Sequence, residues 1–321
     1  MLNEQARRAH KRRNIFHSVL LFGGISVVLA ASLLMLFGPA GLVWSALMLG
    51  VVFLLGPKVP PEVVMRMYRA RPVDPRSGGQ LANIVDVLAA RAELPAVPRL
   101  YVIPSATLNA FAAGTADHAA IGVTEGLLRR LTMREIAGVL AHEMSHIRNN
   151  DLWVMGLADA MTRFTQALSY FALFLAILNF FAALSGEQSA PWLAILLLYL
   201  APTISSLLQL GLSRAREYDA DLEAAQLTGD PMGLASALRR LERYTGHFWE
   251  DLMFPVPGRR VPQPSVLRSH PATEDRIKRL IDLDSRPQLP AELVAELPSI
   301  SLVGFGPIEM RPRYRWPGLW F

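Results

Sequence analysis

The sequence predicts a mainly α-helical integral membrane protein, with four transmembrane helices joined to an α+β domain that holds a small sheet. Three observations predict it. Two long stretches are nearly free of charge, and each is broken near its middle by turn residues. Basic residues gather at one set of helix ends. A segment of about 100 residues between the two stretches has the mixed short periods of a small α+β fold. Composition agrees: 52% of the 321 residues are hydrophobic and 18% charged, against about 25% charged in an ordinary soluble domain.

The first uncharged stretch runs from Asn14 to Pro57. It is too long for one span of about 20 residues and right for two. Gly38, Pro39 and Gly41 split it, giving expected spans at 16–37 and 41–56. The first is too long for the apolar core of a secretory signal peptide, and a second span follows at once. The second stretch, Phe164 to Ser213, has Glu187 as its single charge, within a polar turn. Spans at 165–184 and 191–212 follow, with no amphipathic face of the kind a buried soluble hairpin would show.

Orientation follows from the basic residues beside the spans. Arg7, Arg8, Lys11, Arg12 and Arg13 precede the first; Lys58, Arg66, Arg69 and Arg71 follow the second; Arg148 and Arg163 precede the third; Arg214 and Arg216 follow the fourth. Neither hairpin turn has Lys or Arg. Both termini and the middle segment are therefore expected in the cytoplasm. The net charge of +5 is accounted for by these flanks, so nucleic acid is not an expected partner; the lipid bilayer is. The chain has no cysteine, which excludes disulfides, thiolate metal ligands and a cysteine nucleophile.

Residues 1–57 form the basic N-terminus and first two spans, 58–163 a cytoplasmic part, 164–213 the second hairpin, 214–285 a second cytoplasmic part, and 286–321 a Pro-rich tail. In the cytoplasmic parts, helices are expected at Gln80–Ala92, Glu125–Arg130, Met133–Ile147, Pro231–Thr245 and Thr273–Leu283, with another running on from the fourth span to Thr228. Strands are expected at Arg99–Ile103, Leu108–Ala112 and Ala119–Thr124. Thr132 and Glu135 form a T-x-x-E capping box at the start of the Met133 helix. Residues 252–268 have a loop composition.

That helix carries His142-Glu143-Met144-Ser145-His146. Histidines at i and i+4 share one face and can give two nitrogens to one zinc ion. Glu143 is turned about 100° away and can reach a water at the metal as general base. A catalytic site needs a third protein ligand, and without cysteine the choice is His, Asp or Glu. The best candidate is Glu217 in Ser-Arg-Ala-Arg-Glu-Tyr-Asp-Ala-Asp, with Asp221 one turn on to accept the free N–H of a ligand histidine; the alternative is a solvated, charged helix end. His270, in Ser-His-Pro, is either a donor to the developing oxyanion or a residue that orders the next helix start. Asn109, Ala110 and Phe111 lie on a strand that either receives an extended substrate by β-augmentation or is purely internal. Glu217 is five residues beyond Leu212, about 7–8 Å along a helix, which puts the metal near the membrane surface.

These residues resemble the HtpX family of membrane zinc metallopeptidases, relatives of the zinc-dependent CAAX prenyl proteases. The resemblance covers roughly residues 1–285. It rests on Asn109-Ala110-Phe111, on Ala-His-Glu-Met-Ser-His at 141–146 with Asn150-Asp151 after it, on 213–221, on Ser269-His270-Pro271, and on the order of spans. It implies a zincin-like catalytic domain holding one Zn(2+) on His142, His146 and Glu217, with Glu143 catalytic and Asn109-Ala110-Phe111 at the substrate strand. It implies an endopeptidase of a bacterial inner membrane that turns over misfolded membrane proteins. The competing readings are a prenyl-protein-type protease, for which four spans look too few to enclose a chamber, and a zinc-stabilised scaffold without hydrolysis. Oligomeric state is open.

Overall fold

The computed structural model describes residues 4–54, 59–74, 78–186, 190–253, 273–283, 314–315 and 319–320. In chain order the elements are α1 (Glu4–Phe37), α2 (Pro39–Leu54), α3 (Pro61–Met67), β1 (Arg71–Pro72), α4 (Gly79–Arg91), β2 (Arg99–Ile103), β3 (Ala110–Thr115), β4 (His118–Thr124), α5 (Glu125–Arg130), α6 (Met133–Arg148), α7 (Asp151–Leu184), α8 (Trp192–Thr228), α9 (Pro231–Met253), α10 (Thr273–Ile281), β5 (Tyr314–Arg315) and β6 (Leu319–Trp320). The chain divides into two compact units: Val59–Leu152 with Arg216–Phe321, and Asn3–Lys58 with Trp153–Ala215. The division at 152 precedes the boundary expected at 163, because α7 begins at Asp151, well before the chain loses its charges.

The second unit holds the apolar helices. Among the described residues, three helices are long and apolar enough to cross a membrane: α1 over Ser18–Phe37, α7 and α8. At 16 residues α2 is shorter, about 24 Å of helix against a hydrocarbon core of about 30 Å. Leu21, Ile25 and Leu29 form one buried stripe on α1, clustered with Ala158, Met161 and Ala172 of α7 and Ile195, Leu198 and Leu212 of α8. Large apolar side chains also face outward. Val27, Trp44, Phe174 and Leu207 are all more than half exposed, a pattern that marks a membrane surface. Between α7 and α8, Thr162 Oγ1 meets Ser205 Oγ at 2.8 Å and donates to Gln209 Oε1 at 3.1 Å, the kind of polar pairing that joins helices in lipid. At the α1–α2 corner, Gly38 adopts φ +60°, a conformation that a Cβ would strain.

The first unit is built on a four-stranded sheet in the order β1-β2-β4-β3. β4 pairs parallel to β2 and antiparallel to β3, and β1 is antiparallel to β2. Period-two alternation assigns the faces. Leu100, Val102, Ala119, Ile121 and Val123 join the main core with Ile84 and Leu88 of α4 and Ile136 and Leu140 of α6. Tyr101 and Ala120 point to the other face, under Met65 of α3. The central strands are covered on both faces, which explains their unbroken apolar runs.

The hairpin differs from expectation. β3 ends at Thr115, paired with His118, so the turn is only Ala116-Asp117. Gly114, which falls between the two expected strands, is inside the strand at φ +100°, where a Cβ would lie 2.1 Å from His118 O. The strand starts at Ala110 rather than Leu108. Thr124 N still donates to the Asn109 carbonyl, but Asn109 N donates to Thr124 Oγ1, which in turn donates to the Thr107 carbonyl, so a side chain takes over from the ladder at that point. α9 runs past the expected Thr245 to Met253. His270 and most of the 252–268 loop lie outside the described residues. Of the tail, only the antiparallel β5–β6 pair is described.

Candidate metal centre

The capping box that the sequence signals is formed: Thr132 N donates to Glu135 Oε2 at 2.8 Å, and Glu135 N to Thr132 Oγ1 at 3.3 Å. Glu135 also accepts from Ser236 of α9 at 2.6 Å, which fixes the start of α6. Gly138 lets α9 come close, since a Cβ there would lie 2.8 Å from Leu234 N. Two turns further on, His142 and His146 present Nε2 atoms to each other at 3.2 Å, with rings nearly perpendicular. Glu217 on α8 completes the group: Oε2 is 3.3 Å from His142 Nε2, and Oε1 is 3.5 Å from His146 Nε2. His142 and Glu217 are buried and His146 nearly so.

These separations fit a metal ion. Around a tetrahedral cation with bonds of about 2.0–2.1 Å, neighbouring donor atoms stand about 3.3–3.4 Å apart. Two nitrogens and a carboxylate in a buried cluster also make the donor set of a catalytic site that keeps a position open.

Each histidine is aimed by a carboxylate, and each carboxylate by a guanidinium. Asp221 Oδ1 lies 3.1 Å from His142 Nδ1. Arg276 of α10 grips Asp221 with two bonds of 2.7 and 2.6 Å and reaches Glu217 Oε2 at 3.2 Å. On the other side, Asp151 Oδ2 lies 2.9 Å from His146 Nδ1, and Arg216 bonds Asp151 Oδ1. Such partners set the tautomer of a metal ligand and raise its basicity. Burial acts to lower the pKa of both histidines, yet bonds to Asp221 and Glu217 raise His142, and Asp151 and Glu217 raise His146 well above the ordinary value. Burial pushes Asp221 up, but the charge and hydrogen bonds of Arg276 outweigh it and hold the carboxyl below the ordinary aspartate range.

Glu143 is turned toward the sheet. Its Oε2 accepts the backbone N–H of Ala112 at 3.0 Å. Burial, the largest influence, holds its pKa above the usual carboxylate value. β3 is the edge strand, and Ala112 points its amide away from β4. Ala110 is buried, and the Phe111 ring packs 4.9 Å from that of Tyr68. Asn109 lies just before the strand, bonded through its backbone to Thr124.

Two other carboxylates beside the cluster, Asp151 and Glu223, support it rather than join it. Asp151 is behind His146, and Glu223 clamps the end of α6 through Ser145, Arg148 and Asn149. Sequence reasoning missed Arg276 and counted Arg216 among the membrane flanks; both are only 4% exposed. A signal existed. Arg276 shares its helix face with Ile277 and Leu280, and Arg216 shares one with Ala220 and Ala224. A cation on an apolar stripe needs a buried partner.

Residues 75–284 match peptidase family M48. Among curated relatives, the protease HtpX homolog of Acaryochloris marina (strain MBIC 11017) is 38% identical over 288 residues, covering 86% of this chain and 96% of that one. The homolog from Desulfatibacillum aliphaticivorans is 34% identical, with 86% and 91% covered. That from Paraburkholderia phytofirmans is 37% identical, with 69% and 80% covered. A solved structure, that of S. mikatae Ste24p, is similar with a TM-score of 0.46 and 21% identity, over 87% of this chain and 66% of that one. A family match spanning both histidines, Glu217 and Arg276, together with relatives aligned nearly end to end, leads to one conclusion: the chain belongs to peptidase family M48 and is a membrane metallopeptidase.

Proposed function

We propose that this protein is a zinc endopeptidase with four membrane spans, working at the cytoplasmic face of a bacterial inner membrane on misfolded or damaged membrane proteins. The observation that carries the hydrolytic reading is the bond from Ala112 N–H to Glu143. It ties an edge strand suited to an extended peptide to an acidic group one residue from a metal ligand. A scaffold has no use for either feature.

When bound, zinc supplies the Lewis acidity that acidifies a water and polarises the scissile carbonyl. His142, His146 and Glu217 would hold it, and the two Asp–Arg pairs keep their rings and carboxylate aimed. Glu143 takes the proton from the attacking water and returns it to the leaving amine; its raised pKa suits both halves of that exchange. The peptide backbone lies along β3 beside Ala110 and Ala112, with Asn109 and Phe111 at its flanks. His270 precedes α10 by only three residues, and α10 carries Arg276 to Glu217. That closeness along the chain supports His270 as an oxyanion donor.

Zinc rather than another cation is supported by the two imidazoles and single carboxylate. The cytoplasmic face is supported by Lys and Arg placement, and Arg214 remains exposed among those flanks. The fourth span is α2, a reading supported by the charge-free stretch that contains it. Metal analysis with cleavage of a membrane-protein substrate in detergent, before and after chelation, tests the chemistry. Single thiols test the topology in a chain without cysteine. Ser185→Cys, in the α7–α8 turn, should react with an impermeant reagent from outside, and Ala90→Cys only after the membrane is opened. Labelling of both from outside would reverse the orientation.

A further inference from the structure

α3 is a short helix with two apolar faces. Its inner face is accounted for: Met65 is 1% exposed and packs on Tyr101 and Ala120, and Glu62 is bonded to Arg99 at 3.2 Å and His118 at 2.7 Å. Its outer face has no such explanation. Val63 and Met67, 44% and 40% exposed, stand one turn apart on the same side of the helix, and Val59, 52% exposed, precedes its start at Pro61. Among the described residues of this unit, the other exposed large apolar side chains are Val97, Met232, Tyr244 and Ile281. None of these repeats at helical spacing. Arg66, Arg69 and Arg71 are exposed beside the stripe.

We infer that the outer face of α3 docks on the anionic headgroup layer of the bilayer, with Val59, Val63 and Met67 in the interface and the three arginines against lipid phosphates. The inference rests on reading α2 as a span. Val59 is five residues past Leu54, so chain length alone keeps it within about 18 Å of the end of α2. An apolar stripe flanked by arginine is the composition of a helix that lies in the interface, and each cation close to an anionic leaflet strengthens attachment about fivefold. A protein partner would be expected to meet acidic as well as basic side chains; the one acid of α3, Glu62, is already bonded to Arg99 and His118. The consequence reaches the proposed substrate strand. Tyr68, just past α3, packs on Phe111 of β3, so lipid contact at α3 holds that strand at a set distance from the bilayer.

The test uses the full chain in vesicles of phosphatidylcholine with or without phosphatidylglycerol. An environment-sensitive fluorophore is attached at Val63→Cys, at exposed Ala90→Cys on α4 and at Leu47→Cys on α2, and quenchers are carried on lipid headgroups or acyl chains. Val63 should be quenched from the headgroup layer, more strongly with phosphatidylglycerol, while Ala90 reports water. Arg66→Gln should reduce the phosphatidylglycerol-dependent part by up to about fivefold. Quenching at Leu47 but not Val63 would overturn the inference alone; quenching at neither would overturn the span reading with it. Protection of Val63 that ignores lipid quenchers and vanishes on dilution would assign the face to a second copy and overturn the inference. Peptide hydrolysis by the same labelled protein, with Val63 in water, would leave the peptidase reading standing without it.

Discussion

His146 Nδ1 stands 2.9 Å from Asp151 Oδ2, so an imidazole near the end of α6 is aimed by the first residue of α7. The fold-back is possible because Asn150 takes φ +56°, a left-handed conformation that asparagine tolerates better than most residues. Asp151 in turn is held by Arg216, the neighbour of Glu217. Asp151→Asn should therefore weaken metal affinity by about 10–100-fold while leaving a folded protein. Competition with a chelator of known affinity measures it; unchanged affinity would reduce Asp151 to a structural role.

Glu217→Ala should release the metal, because two histidines alone leave the site with one protein ligand too few. Metal content after dialysis at limiting metal reports the loss. Full occupancy would move the third ligand elsewhere.

Glu143→Gln should keep the metal and lose hydrolysis by about 10²–10⁴-fold, the usual worth of a positioned general base. Glutamine keeps an oxygen that can accept from Ala112 N–H, so KM for an extended peptide is expected to move less than kcat. A parent-like kcat would end the assignment.

Arg276→Met should leave the Asp221 carboxylate buried without its counter-charge. Breaking such a pair from one side costs about 3–5 kcal/mol. A large drop in melting temperature is expected, with metal affinity falling alongside, and Arg276→Lys should recover part of the stability but not the two-bond grip. A melting temperature within a degree or two of the parent would contradict the buried pairing.

Acid should work against the metal. The raised histidine values mean that, without metal, both imidazoles gain stability from protonation. That stability is complete below the ordinary histidine value, near 6.5, and is lost as pH rises through the folded values. Metal needs the neutral rings, so proton and metal compete. The rise in melting temperature on adding metal should shrink as pH falls. A rise that grows on acidification would be incompatible with two histidine ligands.

The helices and the histidine pair were legible because their signals are local: charge-free stretches, a capping box and i, i+4 spacing each lie within a few turns. Glu217 was legible because the lack of cysteine narrowed the choice and Asp221 stood one turn away. Arg276 was not, because nothing near residue 276 says that its partner is 55 residues earlier; only its place on an apolar helix face betrays it. The start of β3 was misplaced for a similar reason. Thr124 supplies a side-chain bond where a ladder was expected, and Gly114 serves a close approach inside a strand rather than a turn.

The metal centre draws on α6, α8 and α10, so its parts leave the ribosome far apart in time. His146 and Arg276 are separated by 130 residues, about 7–26 s at ordinary rates of synthesis. Throughout that interval the histidine pair exists without its full set of supports, and for more than half of it without Glu217. α7 and the apolar part of α8 are therefore made before Glu217 and Arg276 can join the histidine pair. The order of the helices thus makes completion of the metal centre wait for α10.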